Sequence, residues 1–113
     1  MRELLQGKIV MSGNDACIVL AEGIAGSEEA FARQMTERAQ ELGLSTVNFV
    51  NTTGLEGDGH VISAADLARL AKLIIDDYPQ YYQWYSQDSY TWGEYTQANR
   101  NPLLGTMDGA DGL

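Results

Sequence analysis

Two apolar runs, residues 4–10 and 16–24, are separated by Ser12, Gly13 and Asn14, residue types that turn or cap a helix and do not extend one. That break limits the fold more than any other feature, because it demands two short helices meeting at a corner. In the first run Leu4, Leu5, Ile9 and Val10 recur at helical spacing, with Gly7 as a weak point. Asn14 is then expected to cap a second helix through Ile24, with Asp15 favoured by the helix dipole in its first turn and Gly26 as its stop.

Further helices follow from the same logic. Ser27 with Glu28 and Glu29 reads as a capped start, Phe31, Met35, Arg38, Ala39 and Leu42 trace one face, and Gly43 ends the pattern. Between residues 44 and 61 the helical period disappears, Val47, Phe49 and Val50 look extended, and Thr53, Gly54, Gly57, Asp58 and Gly59 break the chain into a long connecting loop. Ser63 and Asp66 fit a capping-box spacing, with Leu67, Leu70, Ala71 and Ile74 as the expected inward stripe of a fourth helix that Pro79 limits. Tyr90, Thr91 and Trp92, then Gly93 and Glu94, then Tyr95 and Thr96, predict a small hairpin, and the tail with Gly105, Gly109 and Gly112 should be irregular. The expected class is mainly α with a short β-hairpin near the C-terminus.

At 113 residues and 44% hydrophobic side chains, this is one modest globular domain. Sixteen acidic against seven scattered basic residues give a charge of -9, so nucleic acid is not an expected partner. No apolar run reaches the roughly 18 residues a membrane helix needs, and residues 1–5 do not read as a signal peptide. Cys17, between Ala16 and Ile18, reads as a buried and inert thiol.

Cys17 and His60 are the only residues of their kinds, which makes a structural zinc site improbable, and no metal or cofactor is expected. A lone loop histidine lacks the orienting partner that catalysis demands, so His60 is assigned no role. Three places after Ser12, Ser27, Ser45, Ser63, Ser86 and Ser89 stand Asp15, Ala30, Asn48, Asp66, Ser89 and Trp92, so there is no S-x-x-K; G-x-S-x-G and K-T-G are missing too. Tyr78, Tyr81, Tyr82, Trp84 and Tyr85 suit a stacking platform, but read better as the packed end of a helix whose hydroxyls reach water. Glu28, Glu29, Asp76 and Asp77 read as a solvated face.

Ser12-Gly13-Asn14 followed by Asp15-Ala16-Cys17 resembles the S-x-N segment of serine D-alanyl-D-alanine carboxypeptidases, the low-molecular-mass penicillin-binding proteins. The likeness runs on through "AFARQMTERAQELGLSTVNFVNTTGL", "SAADLARLAKLIIDDYPQYYQWYS" and "YTWGEYTQANRNPLLG" in order. The resemblance implies a penicillin-binding-protein or β-lactamase-like α+β fold, of which residues 1–113 form a single helical subdomain, a fragment of a larger transpeptidase-like catalytic domain. In the family the acylated serine and its lysine precede the S-x-N, and K-T-G follows on a sheet strand; "DGADGL" looks like the segment just before K-T-G.

Carried over by position, Ser12 takes part in proton transfer beside that lysine, Asn14 hydrogen-bonds the lysine and the substrate's peptide carbonyl, and Gly13 lets the turn fit closely. A hydroxyl and a neutral amide suit those tasks, although the same residues also serve as a turn and an N-cap. The implied parent trims peptidoglycan stem peptides through an acyl-enzyme, binds β-lactams and works in the periplasm or otherwise outside the cytoplasm; the isolated chain is expected to be inactive. Apolar surface left bare in a fragment would favour a homo-oligomer. The alternatives are a related β-lactam-hydrolysing or penicillin-sensing protein, for which no residue here activates a deacylating water, and a stand-alone helical interaction domain, in which Ser12→Ala would alter only folding or association.

Overall fold

The computed structural model describes residues 1–113, and its elements follow the apolar periodicity of the sequence. Helices α1 (Arg2–Met11) and α2 (Asn14–Ala25) meet at the Ser12 and Gly13 corner, and α3 (Glu28–Glu41) follows almost directly. A long loop leads to α4 (Ala64–Asp77), after which Pro79 opens the one-turn α5 (Pro79–Tyr82) and a 3₁₀ turn occupies Gln83–Ser86. Strands β1 (Ser89–Trp92) and β2 (Tyr95–Ala98) form the expected hairpin, antiparallel, with Ser89 opposite Ala98 and Trp92 opposite Tyr95. In its two-residue turn only Gly93 has positive φ, the II′ pattern that matches the twist of the paired strands.

The expected serine caps form. Ser27 Oγ accepts from the Ala30 N–H at 3.1 Å and Ser63 Oγ from the Asp66 N–H at 3.1 Å, each worth about 1 kcal/mol to its helix. Ala39, Leu44 and Val47 make the central apolar cluster, backed by Phe49, Ile62 and Leu70, while Val10, Cys17, Ala21 and Ala32 are buried along α1, α2 and α3. Phe31 and Met35 of the expected α3 face are half-buried beside Ala39, whereas Arg38 and Leu42 are exposed.

The stripe on α4 departs from expectation at Leu67. Leu67 is 54% exposed, and the residue of this helix that is sealed from solvent is Asp66, at 1%. Leu70, Ala71 and Ile74 do turn inward in part. The cause is the loop that α4 lies against: it offers N–H and O–H donors at Thr46, and the Asp66 carboxylate is drawn to them and takes the place of an apolar chain.

The long loop is tied across itself. Asn48 and Val61 exchange both backbone hydrogen bonds, at 2.9 and 3.0 Å. His60 Nδ1 accepts from the Val50 N–H at 3.1 Å, and its ring lies 5.8 Å from that of Phe49, so this histidine braces the loop.

The C-terminal third closes back on α1. Tyr90 donates its hydroxyl proton to the Glu3 carbonyl at 3.2 Å, the Gln6 amide donates to Gln87 Oε1 at 3.3 Å, and the Arg100 N–H donates to the Val10 carbonyl at 3.2 Å. Tyr81 and Trp84 meet edge to face at 5.0 Å, with the Arg2 guanidinium 5.8 Å above the Trp84 ring. The irregular tail docks against this 3₁₀ turn so closely that a Cβ at Gly112, whose φ is +94°, would fall 1.8 Å from the Tyr85 carbonyl oxygen. No helix is long and apolar enough to cross a membrane.

Candidate active site

Ser12 is the one non-glycine residue with positive φ, at 58° with ψ 38°. It ends α1 in the left-handed conformation that normally falls to glycine: its N–H donates to the Lys8 carbonyl at 3.0 Å, and the Gly13 N–H donates to that of Gly7 at 3.2 Å. Holding a side chain there costs about 1–2 kcal/mol, and the cost falls on an exposed polar residue at a sharp corner, where strain points to use. Gly13 itself has ordinary dihedrals, φ −67° and ψ 103°. A Cβ there would lie in van der Waals contact with the Gly7 carbonyl oxygen and Asp15 Oδ1, both at 3.4 Å, so the corner is close-packed around it.

Asn14 does not cap α2. The extended N-cap position belongs to Gly13, no side-chain cap bond forms, and Asn14 is already the first helical residue. Part of the first turn's demand for acceptors is met by Asp15, whose Oδ1 accepts from the Ala16 N–H at 2.9 Å. The Asn14 side chain is therefore free to act elsewhere, and its Oδ1 accepts from Lys8 Nζ at 3.3 Å.

Lys8 also donates to the Thr53 carbonyl at 2.8 Å, which brings the long loop to the corner. That loop is shaped by its own bonds: Asn51 Oδ1 accepts from the Gly54 N–H at 2.9 Å, and Asn51 Nδ2 donates to the Leu55 carbonyl at 2.8 Å. From α3, Glu28 Oε1 accepts from the Thr52 N–H at 3.1 Å and its hydroxyl at 3.0 Å. Two helices thus fix the loop against the turn. Gly13, Asp15 and Ala16 also border a groove of about 220 Å³ whose lining includes Tyr90 and Trp92 of β1.

The corner offers a hydroxyl that can pass a proton and an amide that can donate from Nδ2 while its oxygen accepts. Cys17, one turn into α2, is buried; burial pushes its thiol pKa up, with the nearby Lys8 ammonium pulling partly the other way. The corner at Ser12, Gly13 and Asn14 was readable from the sequence, whereas the contacts of Lys8 were not: it meets Asn14 across 6 residues and Thr53 across 45 only through folding.

A strained serine and an asparagine held by Lys8 thus share a two-helix corner beside a braced loop and a hairpin, and the likeness to solved penicillin-binding proteins makes this the helical part of a penicillin-binding-protein or β-lactamase-like fold. The D-alanyl-D-alanine carboxypeptidase family profile matches residues 1–113, and the chain belongs to that family. It is 45% identical over 104 residues to the D-alanyl-D-alanine carboxypeptidase DacD of Escherichia coli K12, covering 92% of this chain and 27% of that protein. Penicillin binding protein 6B of Escherichia coli superposes with a TM-score of 0.87 at 44% identity, over 95% of this chain and 34% of that one. Penicillin-binding protein D2 of Listeria monocytogenes, solved in its cefotaxime-bound form, gives 0.86 at 32% identity, over 99% and 46%. The chain therefore spans between about a quarter and a half of the length of these relatives.

Proposed function

We propose that these 113 residues are the helical subdomain of a larger catalytic domain that removes the terminal D-alanine from peptidoglycan stem peptides outside the cytoplasm. The observation that carries this reading is the family match over the whole of residues 1–113, with the S-x-N held at an exposed corner. A nucleophilic serine and its lysine are supplied from outside these residues. The serine oxygen bonds to the penultimate residue's carbonyl carbon, the bond to the D-alanine nitrogen breaks, and that amine leaves with a proton; water then hydrolyses the ester.

Within this scheme the Ser12 hydroxyl stands in the proton path beside the lysine. Asn14 hydrogen-bonds the lysine through Oδ1 and the substrate's peptide carbonyl through Nδ2, and Gly13 keeps the corner tight. A β-lactam opens on the same serine and remains as an ester; the cefotaxime-bound Listeria relative supports that part of the reading.

The test uses the full-length protein with a fluorescent penicillin and with a D-alanyl-D-alanine peptide. One covalent adduct per molecule together with D-alanine release is expected. An intact, folded protein that gives neither would overturn the proposal.

A further inference from the structure

Lys8 is the only side chain that reaches both the S-x-N corner and the loop beside it. It rises from α1 one turn before Ser12, is half-buried, and its ammonium bridges Asn14 Oδ1 at 3.3 Å and the Thr53 carbonyl at 2.8 Å. An amide oxygen and amide nitrogen are chemically opposite, so a cation fixed on one side decides which way the group points. With Lys8 on Oδ1, Nδ2 must face away from α1.

We propose that Lys8 is a positioning residue that holds the Asn14 amide oxygen and the Thr53 carbonyl on one ammonium, so that Asn14 presents Nδ2 as a ready donor and the loop keeps its place beside the corner. This rests on the function proposed above, in which Asn14 meets a substrate carbonyl. The oxygen has two lone pairs: Lys8 occupies one and leaves the other for the lysine supplied from outside these residues. The clamp also spans 45 residues of chain, so it couples the turn to a loop that α1 does not otherwise grip. Glu28 anchors that loop at Thr52, the very next residue, from the α3 side, and Lys8 supplies the opposing hold.

The experiment compares wild-type full-length protein with Lys8→Met, which keeps the stem without the charge, and Lys8→Arg, which keeps a cation. The first readout is the Asn14 side-chain amide in selectively ¹⁵N-labelled protein. It should be ordered in the wild type, become mobile in Lys8→Met and be largely restored in Lys8→Arg. The second is penicillin acylation: the first-order step should slow about tenfold in Lys8→Met with little change in the initial binding constant, and Lys8→Arg should recover most of it.

An Asn14 amide equally ordered in Lys8→Met overturns the clamp. A mobile amide with undiminished acylation overturns its role in positioning. Should the wild type form no adduct at all, the functional reading fails, while the amide measurement still decides whether the clamp exists.

Discussion

The Asp66 carboxylate accepts both the backbone N–H of Thr46, at 2.9 Å, and the Thr46 hydroxyl, at 2.5 Å, across 20 residues of chain. Arg69 adds a third hydrogen bond at 2.7 Å from its exposed guanidinium, and the Thr46 hydroxyl oxygen accepts in turn from the Ser63 N–H at 3.1 Å. One acidic side chain thus joins the start of α4 to the loop after α3, beside the cluster of Ala39, Leu44 and Val47.

Hydrogen bonds from Thr46, then from Arg69, hold the Asp66 carboxyl below its ordinary 3.8. A carboxyl whose pKa is depressed on folding stabilises the fold above the unfolded value and loses that contribution as pH falls through the folded value. Acid unfolding should therefore steepen below about pH 4, where the unfolded chain takes up the proton first. Asp66→Asn should lower the melting temperature at pH 7, and the gap from wild type should close as pH drops towards 2. Thermal melts across that range check it; a gap constant with pH would mean that the charge contributes nothing.

The left-handed backbone at Ser12 sets stability against use. Ser12→Gly should leave the melting temperature unchanged or raise stability by up to about 1 kcal/mol, and Ser12→Val should lower it by more than that, because a β-branched chain tolerates positive φ least. In the full-length protein both should acylate slowly with penicillin, since neither carries the hydroxyl. Paired melts and adduct kinetics measure the two effects, and a destabilised Ser12→Gly would show that the corner is not strained.

Asn14 separates a structural role from a chemical one. A lost N-cap would cost about 1 kcal/mol, but Gly13 holds that position, so Asn14→Ala should change stability by only a few tenths of a kcal/mol. Acylation should nevertheless fall by about 10²-fold, the order expected when one preorganised donor is removed. Urea unfolding alongside acylation rates decides it, and a stability loss of a full cap with unchanged acylation would reverse the assignment.

What the sequence made legible was local. The four long helices, their Ser27 and Ser63 caps, the limit at Pro79 and the hairpin turn at Gly93 each depend on neighbours within a few residues, and each appears where expected. Asn14 was misread as a cap because its residue type fits the position and only the dihedrals of Gly13 show which residue occupies it. Leu67 was placed inward because apolar periodicity cannot register that the loop facing α4 offers donors that suit Asp66. Lys8 went unrecognised for the same reason: its partners are settled by packing.

The bonds from Tyr90 to Glu3 and from Gln6 to Gln87 join residues 87 and 81 positions apart. Closing such large loops is entropically slow, so α1 gains its last anchors only after the final third of the chain has folded. During synthesis, the corner at Ser12 to Asn14 emerges before the hairpin and waits for it. A growing chain that has not yet released its hairpin holds α1, which ends at Ser12, without its anchors to Tyr90 and Gln87. The helix that ends at this corner is thereby completed by residues made long after its own.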